Sequence, residues 1–428
     1  MDDDVIVVGA GLAGLSVALA LAAQRRRVRV LDARDMQPLP PASAQFDQRV
    51  YAISPASVEW LKSIRVWQNI DAARITPVYG MRIHGDAPDA ANLPWLNKDA
   101  QDGLHLSAYR AGVGELCQIV EERELLRAVE GAVGYASGIE VLRPVELASL
   151  KTEAGSVRLT LADGRVLDAA LIVGADGARS WIRAAAGIAM DEMPYGQTAV
   201  VANFLASTPH FNGATQWFRM EPDTGAAGGA NGAIGAATGA NATMPGGMSV
   251  LAWLPLPDQH ISIVWSAPDA LAAELAALTP DDLAARVTDA GQGLLGALRP
   301  AGICTTFPLR NLRAKSLIAS RVALVGDAAH VVHPLAGQGL NLGFGDCAAL
   351  ADTLAGMRDA GDALVLRRYA RAREAAVLEM HALTHGLQRL FSATHPALRG
   401  LRNVGLNLTG QLPVIPQWLV QRATRTFQ

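Results

Sequence analysis

The chain of 428 residues sets 37 Lys and Arg against 40 Asp and Glu, a net charge of −3, with half of its residues hydrophobic and 18% charged. That balance gives no electrostatic case for nucleic acid, and the length suits two or three domains, or one large α/β domain with an inserted sheet. Three scattered cysteines, Cys117, Cys304 and Cys347, form no CxxC pair and no disulfide framework, so a reducing cytoplasm and no metal site are expected.

The first predicted element lies in a run of 19 uncharged residues, Val5 to Ala23, between an acidic start and Arg25-Arg26-Arg27. It is long enough to span a bilayer. Three glycines in its middle argue against a helix throughout, and the three opening aspartates argue against a secretory signal. The run reads instead as a strand, "VIVV", a turn Gly9-Ala10-Gly11-Leu12-Ala13-Gly14, and an Ala/Leu-rich helix. In such a turn the first glycine permits a tight bend, the second lets backbone approach a pyrophosphate, and the third lets helix and strand pack closely. A second strand, "RVRVLDA", ends at Asp32, the offset expected for a carboxylate that binds a ribose, with Ala33 and Arg34 beside it.

A Pro-rich loop then leads past Asp47-Gln48-Arg49 to a helix near Ser57 to Ile64, and a further helix is expected over roughly Gly112 to Gly131. The stretch from Gly138 to Gly177 reads as a β-meander with a turn at Ala162-Asp163-Gly164-Arg165, closing on the strand "AALIVGADG". From about Gln197 to Ser266 four longer strands predict a second, mostly antiparallel sheet. Between the second and third of them lies an almost uncharged Gly/Ala segment, Asp223 to Gly247, read as a mobile hairpin extension in preference to a substrate lid. A second match to the glycine pattern, Gly291 to Gly296, follows a helix-like segment rather than a strand, so it is expected to be a helix end and a turn.

Two later clusters complement the first turn. Gly174-Ala175-Asp176-Gly177 and Gly326-Asp327-Ala328-Ala329-His330 each follow an apolar strand and precede a helix, which places them where ligands collect in open α/β sheets. A short carboxylate there can accept hydrogen bonds from ribose or ribityl hydroxyls. The third cluster runs on into "PLAGQGLNLG", where Gly337, Gly339 and Asn341 offer backbone N–H groups to a developing anion. His330 and His333 flank this turn and are expected to pack or to hydrogen-bond rather than to act as bases. Cys347 reads as a small core residue, and Arg367 to Glu374 as a solvated helix face. The C-terminal stretch mixes Leu, Phe and Trp with Arg; surface packing and interfacial membrane binding both remain open for it.

The order GxGxxG, GADGARS, GDAAH and HPLAGQGLNLG resembles the class A FAD-dependent aromatic hydroxylases. More narrowly, "DQRVYAISPAS", "LPLPDQHISIVWS" and "GDAAHVVHPLAGQGLNLGFGDCAALA" are similar to the ubiquinone-biosynthesis hydroxylase family. The Gly/Ala insertion departs from that family, where a short turn is usual. The resemblance implies an FAD-binding Rossmann-like βαβ domain (1–75, 111–190, 301–360) and an inserted substrate-binding sheet (76–110 and 191–300, with the loop 223–247). Helices over 361–428 complete the chain.

It further implies FAD as cofactor and NAD(P)H as a transient co-substrate. The ADP half of FAD falls to Gly9, Gly11, Leu12, Ala13, Gly14 and Asp32, with Ala33 and Arg34 adjoining. Arg49 meets the flavin or phosphates, Asp176 and Gly177 belong to a segment shared with the nicotinamide donor, and Gly326 and Asp327 grip the ribitol. Pro334, Gly337, Gln338 and Gly339 form the flavin- and substrate-facing turn, continued by Leu340 and Asn341, and no acid–base residue is required. The implied reaction is attack of a C4a-hydroperoxyflavin, formed with O2, on the ring of a polyprenylated phenol. The expected partners are the polyprenylated phenol and O2, with docking to sister enzymes of ubiquinone synthesis an alternative for the C-terminal stretch, and the expected location is cytoplasmic or peripheral on the inner face of the membrane.

Overall fold

A computed structural model describes residues 3–35, 45–85, 104–221, 247–332 and 338–392. The opening run is a strand, Asp3–Val8, followed by a helix, Leu12–Ala23. Val5, Ile6 and Val7 are fully buried, as a strand covered on both faces requires. That strand sits inside a sheet ordered Ile318–Ala319, Val322–Leu324, Val166–Gly174, Asp3–Val8, Val28–Leu31, Ile139–Leu142. From Val322–Leu324 to Ile139–Leu142 the neighbours run parallel.

The meander builds an extension of the same sheet. Val157–Leu161 and Leu147–Thr152 continue antiparallel from the first half of Val166–Gly174, and Gly164 takes φ +88° in the expected turn. Helices Leu12–Ala23, Glu122–Tyr135 and Gly339–Leu354 cover one face of the parallel strands around Val5, Val7 and Leu171. Ile6, Val8 and Ile172 turn to the other face, against Leu159, Leu161 and Ile182.

The second sheet is larger and mostly antiparallel. Its order is His330–Val331, Thr305–Ala314, Met190–Ala206, His260–Pro268, Met248–Pro255, Gly213–Met220, Gly80–His84, Leu104–Ser107. One pairing, Gly213–Met220 with Gly80–His84, is parallel. Helices Asp269–Ala277 and Pro280–Ala290 cover its outer face over Trp217, Trp253 and Trp265. A short three-stranded sheet, Val50–Ile53, Cys117–Glu121 and Thr76–Val78, joins the two bodies.

Some expected boundaries move. Thr305–Ala314, expected in the third nucleotide-domain segment, pairs instead with Met190–Ala206. Its burial alternates along "TTFPLRNLRA", the period of a strand with one face to solvent. The helix expected from Gly112 starts at Glu122, because the β-branched "CQIVE" before it forms the central strand of the small sheet. Gly291 does close the helix Pro280–Ala290, and Gly293 and Gly296 take φ +64° and +66° in the turn after it. The Gly/Ala segment at 222–246, the turn 333–337 and the residues after 392 lie outside the described residues. Among the described residues no helix is long and apolar enough to cross a membrane.

Candidate functional site

Parallel register brings the motif-bearing strand ends together. Val8 is level with Leu31 on one side and Gly174 on the other, and Gly174 is level with Leu324. The chain segments that leave those ends begin at Gly9, Asp32, Ala175 and Val325, so four segments, the first and last more than 300 residues apart, share one rim. Ligands of open α/β sheets gather at such carboxyl ends.

Close approach explains two of the three glycines. A Cβ on Gly9, whose φ is +109°, would lie 2.3 Å from the Ala175 carbonyl oxygen, and one on Gly14 would lie 1.8 Å from the Gly9 oxygen. Gly11 differs: a Cβ there would meet nothing within 4 Å. Packing inside the chain does not demand glycine at that position. It stands at the N-cap of Leu12–Ala23, where no side chain caps the helix, and leaves room for a ligand phosphate against the helix dipole.

Asp32 is 8% exposed and ties the second strand to this turn. Its Oδ2 accepts from the Ala10 N–H at 2.7 Å and its Oδ1 from the Arg34 N–H at 2.8 Å. Burial disfavours its charge, but these donors outweigh burial and hold the carboxyl below its ordinary range. Asp176 Oδ2 accepts from the N–H groups of Trp181 and Ile182 at 2.7 and 3.1 Å, so the acid also caps the next helix. Its Oδ1 is buried without a partner among the described residues.

The third turn is clamped from two neighbouring helices. Arg183 donates to the Ala328 carbonyl at 2.8 Å and to the Ala178 carbonyl at 2.9 Å, linking the second cluster to the third. Asp346 Oδ2 accepts from the Gly326 N–H at 3.0 Å and lies 2.7 Å from His330 Nε2. Asp327, between these clamps, is exposed toward the cleft while Gly326 and Ala328 are buried. Protein packed around it still pushes its carboxyl above the ordinary range, with His330 and Arg49 pulling the other way. The group is therefore crowded rather than sealed.

Arg49 approaches from the small sheet. Its guanidinium pairs with Glu122 at 3.1 Å and lies 4.8 Å from the Phe307 ring centroid on the large sheet. Tyr51 donates to the same Glu122 carboxylate at 3.0 Å, and burial pushes its phenol well above the ordinary tyrosine value. Gln338, Gly339 and Leu340 begin the helix Gly339–Leu354 and are partly exposed. The Asn341 side chain has a different task. Fully buried, it accepts from Ser54 N–H and Ser57 Oγ–H at 2.9 and 2.7 Å and donates to Ala52 O at 2.8 Å, so the side chain ties the helix to the segment 52–57. His333, Pro334 and Gly337 lie outside the described residues. Gly177 takes φ +80° and Gly326 φ +61°.

Arg183, Glu122, Gly343, Asp346 and Arg373 are additions to the expected set. A Cβ on Gly343 would come within 3.1 Å of Gly326 Cα, and Cys347, one turn on, is fully buried with its thiol 3.4 Å from Ala13 O. The four-residue spacing Gly339, Gly343, Cys347 was the available signal for this close crossing. Arg373, expected on a solvated face, is 4% exposed and pairs with Asp346 at 2.8 Å.

Facing this rim is the inner side of the large sheet. Side chains alternate along a strand, and Leu251, Trp253, Ile263, Trp265, Val200 and Ala202 all point outward beneath the two helices. The intervening positions 199–203, 250–254, 262–266 and 214–218 therefore point inward, and none carries a charge. Asn203 fixes the direction, donating to Phe46 O at 3.2 Å and Asp47 O at 2.9 Å beside Arg49. Paired Ala252 and Val264, with Leu254, are only half-buried, so the accessible patch is aliphatic.

Among the described residues one glycine-lined rim at the strand ends lies opposite a sheet face without charge, the arrangement of an enzyme that binds a dinucleotide cofactor. The FAD binding domain family matches residues 2–384, and the chain belongs to that family. It is 30% identical over 429 residues to ubiquinone hydroxylase UbiL of Rhodospirillum rubrum, covering 99% of this chain and 90% of that one. It is 31% identical over 407 residues to 3-demethoxyubiquinol 3-hydroxylase of Escherichia coli, covering 94% and 93%. In fold it is similar to p-nitrophenol 4-monooxygenase PnpA from Pseudomonas putida, with TM-score 0.72 and 17% identity over 99% of this chain and 98% of that one. Klebsiella pneumoniae HpxO, complexed with FAD and uric acid, gives TM-score 0.70 and 18% identity over 98% and 97%. The protein binds FAD and is an FAD-dependent aromatic monooxygenase.

Proposed function

We propose that this chain hydroxylates the aromatic ring of a polyprenylated phenol in ubiquinone synthesis, with NAD(P)H as donor and O2 as oxidant. The observation that carries the reading is the inner face of the large sheet, uncharged and aliphatic where it is accessible at Ala252, Leu254 and Val264. A carboxylated substrate buried against that patch would find no cation among the inward positions, and Arg49 beside them is already paired with Glu122, so its charge would be poorly compensated, at a cost of several kcal/mol. A neutral ring with a hydrocarbon tail gains from each apolar contact, at about 25 cal/mol per Å². The names of the Rhodospirillum and Escherichia relatives support the same class of substrate.

FAD supplies the oxygen-activating chemistry when bound. The chain's own contribution is positioning and exclusion. Gly9, Gly11 and Gly14 shape the backbone for the pyrophosphate, Asp32 fixes that turn, and Asp327 offers its carboxylate to the ribityl hydroxyls. Gln338, Gly339 and Leu340, at a helix N-terminus, would favour negative charge on the bound ring system. The aliphatic face keeps the reacting region dry.

Mass spectrometry of lipid extracts from cells lacking the gene tests the reading. A polyprenylphenol one oxygen short of the next intermediate is the expected accumulation. A normal ubiquinone profile, together with purified protein whose NAD(P)H oxidation is stimulated by short aromatic acids, would overturn it.

A further inference from the structure

The turn that carries Asp327 is held from a direction its own motif does not contain. Asp346 lies on the helix Gly339–Leu354 and is wholly buried. Its Oδ2 takes the Gly326 N–H and the His330 imidazole, at 3.0 and 2.7 Å, which brackets Asp327 from both sides. Its Oδ1 takes Arg373 Nε at 2.8 Å, and the Arg373 Nη2 donates to the Leu342 carbonyl at 3.0 Å. Arg373 belongs to the long helix Ala363–Ser392, the last element described. From that helix Tyr369 also reaches in, its hydroxyl donating to the Leu324 carbonyl at 2.6 Å, in the strand that feeds the same turn. Two side chains of one helix, spaced four residues apart, thus reach the strand that feeds this turn and the carboxylate that clamps it.

A buried carboxylate without a cationic partner is costly, and a protonated one would lose acceptor capacity. Burial works against the charge of Asp346, while His330 and Arg373 outweigh it and hold its carboxyl below the ordinary range. With Asp346 ionised, both neighbouring groups can donate to it. The Asp327 carboxylate is then the polar group of the turn left facing the cleft.

We propose that Arg373 and Asp346 are a positioning pair for Asp327, through which the C-terminal helix sets how tightly and in what geometry the cofactor is held. Neither residue is placed in contact with FAD. The pair acts through the Gly326 amide and the His330 ring.

The test compares Arg373→Gln, Arg373→Lys and, as a control, Arg321→Gln. Arg321 is also buried and ion-paired, with Asp359 at 2.7 Å, but at the far end of the strand Val322–Leu324 from the turn. Three quantities are read on purified protein: melting of the FAD-free form, the FAD dissociation constant, and the shape of the bound flavin's visible absorption band. Arg373→Gln should weaken FAD binding by about tenfold or more and change the band shape. Arg373→Lys, which keeps the charge, should recover part of the affinity. Arg321→Gln should lower melting while leaving FAD affinity within about twofold. The proposal is overturned if Arg373→Gln matches Arg321→Gln in affinity and spectrum. If Arg373→Gln does not fold, Arg373→Lys decides: an intermediate dissociation constant supports the pair, and a wild-type value and spectrum refute it.

Discussion

The two faces of the cleft are built by opposite means. On the nucleotide side, three turns are locked by Asp32, Arg183, Asp346 and glycines that admit no side chain. On the sheet side, the facing residues carry no charge, and the accessible ones, Ala252, Leu254 and Val264, are aliphatic. A polar cofactor of fixed shape rewards directed hydrogen bonds, whereas a neutral ring with a hydrocarbon tail is recognised by area and by exclusion of water. Each side can therefore be broken without the other, and the outcomes should separate.

The largest effect belongs to the glycine turn. Gly14→Val should destabilise the protein by about 3 kcal/mol or more, because its Cβ would overlap the Gly9 carbonyl and neither backbone can yield. Urea denaturation reads this directly, and an unchanged midpoint would mean that helix and turn do not meet so closely. Next comes Asp327→Ala, which should weaken FAD binding by roughly ten- to a hundredfold, the worth of a charged hydrogen-bonding group, with little change in melting of the FAD-free protein. Full flavin retention on a fluorescence titration would remove Asp327 from the cofactor site.

Val264→Asp addresses the other face. A carboxylate on that patch should raise KM for a prenylated phenol by about tenfold and divert NAD(P)H oxidation toward hydrogen peroxide. FAD affinity should stay within about twofold. A loss of FAD affinity as large as that of Asp327→Ala would show that the two faces are not independent.

The same contrast governs what the sequence made readable. Turns that need glycine or a short acid at fixed offsets leave an imprint in linear order, so Gly9 to Gly14, Asp32, Asp176 and Asp327 stand out as strand-end residues. Asp346 and Arg373 do not, since their meeting depends on how two helices cross, and an arginine amid Arg367, Arg368 and Arg371 looks solvated until Tyr369 and Val377 set the buried stripe. Thr305–Ala314 was misplaced for a related reason: its pairing partner lies more than 100 residues away at Met190–Ala206. The apolar inner face carries no motif at all. It is visible only once the outward positions are assigned to the tryptophan core.

The smallest effect concerns pH, and it sharpens the comparison because only the nucleotide face holds a tuned carboxylate at the first turn. Asp32 is held below its ordinary range by the Arg34 and Ala10 N–H groups, despite burial. In the unfolded chain the group takes a proton near pH 3.9; in the native fold it does so at a lower pH. As pH falls, the unfolded state binds the proton first, so the stabilisation from Asp32 is complete above about pH 4 and is lost as pH drops through the native value. Asp32→Asn should therefore flatten the acid limb of a stability-versus-pH curve below about pH 4 while leaving its slope between roughly pH 6 and 8 unchanged. An acid limb identical to that of the unsubstituted protein would mean that the Ala10 and Arg34 hydrogen bonds contribute no net preference for the charged form.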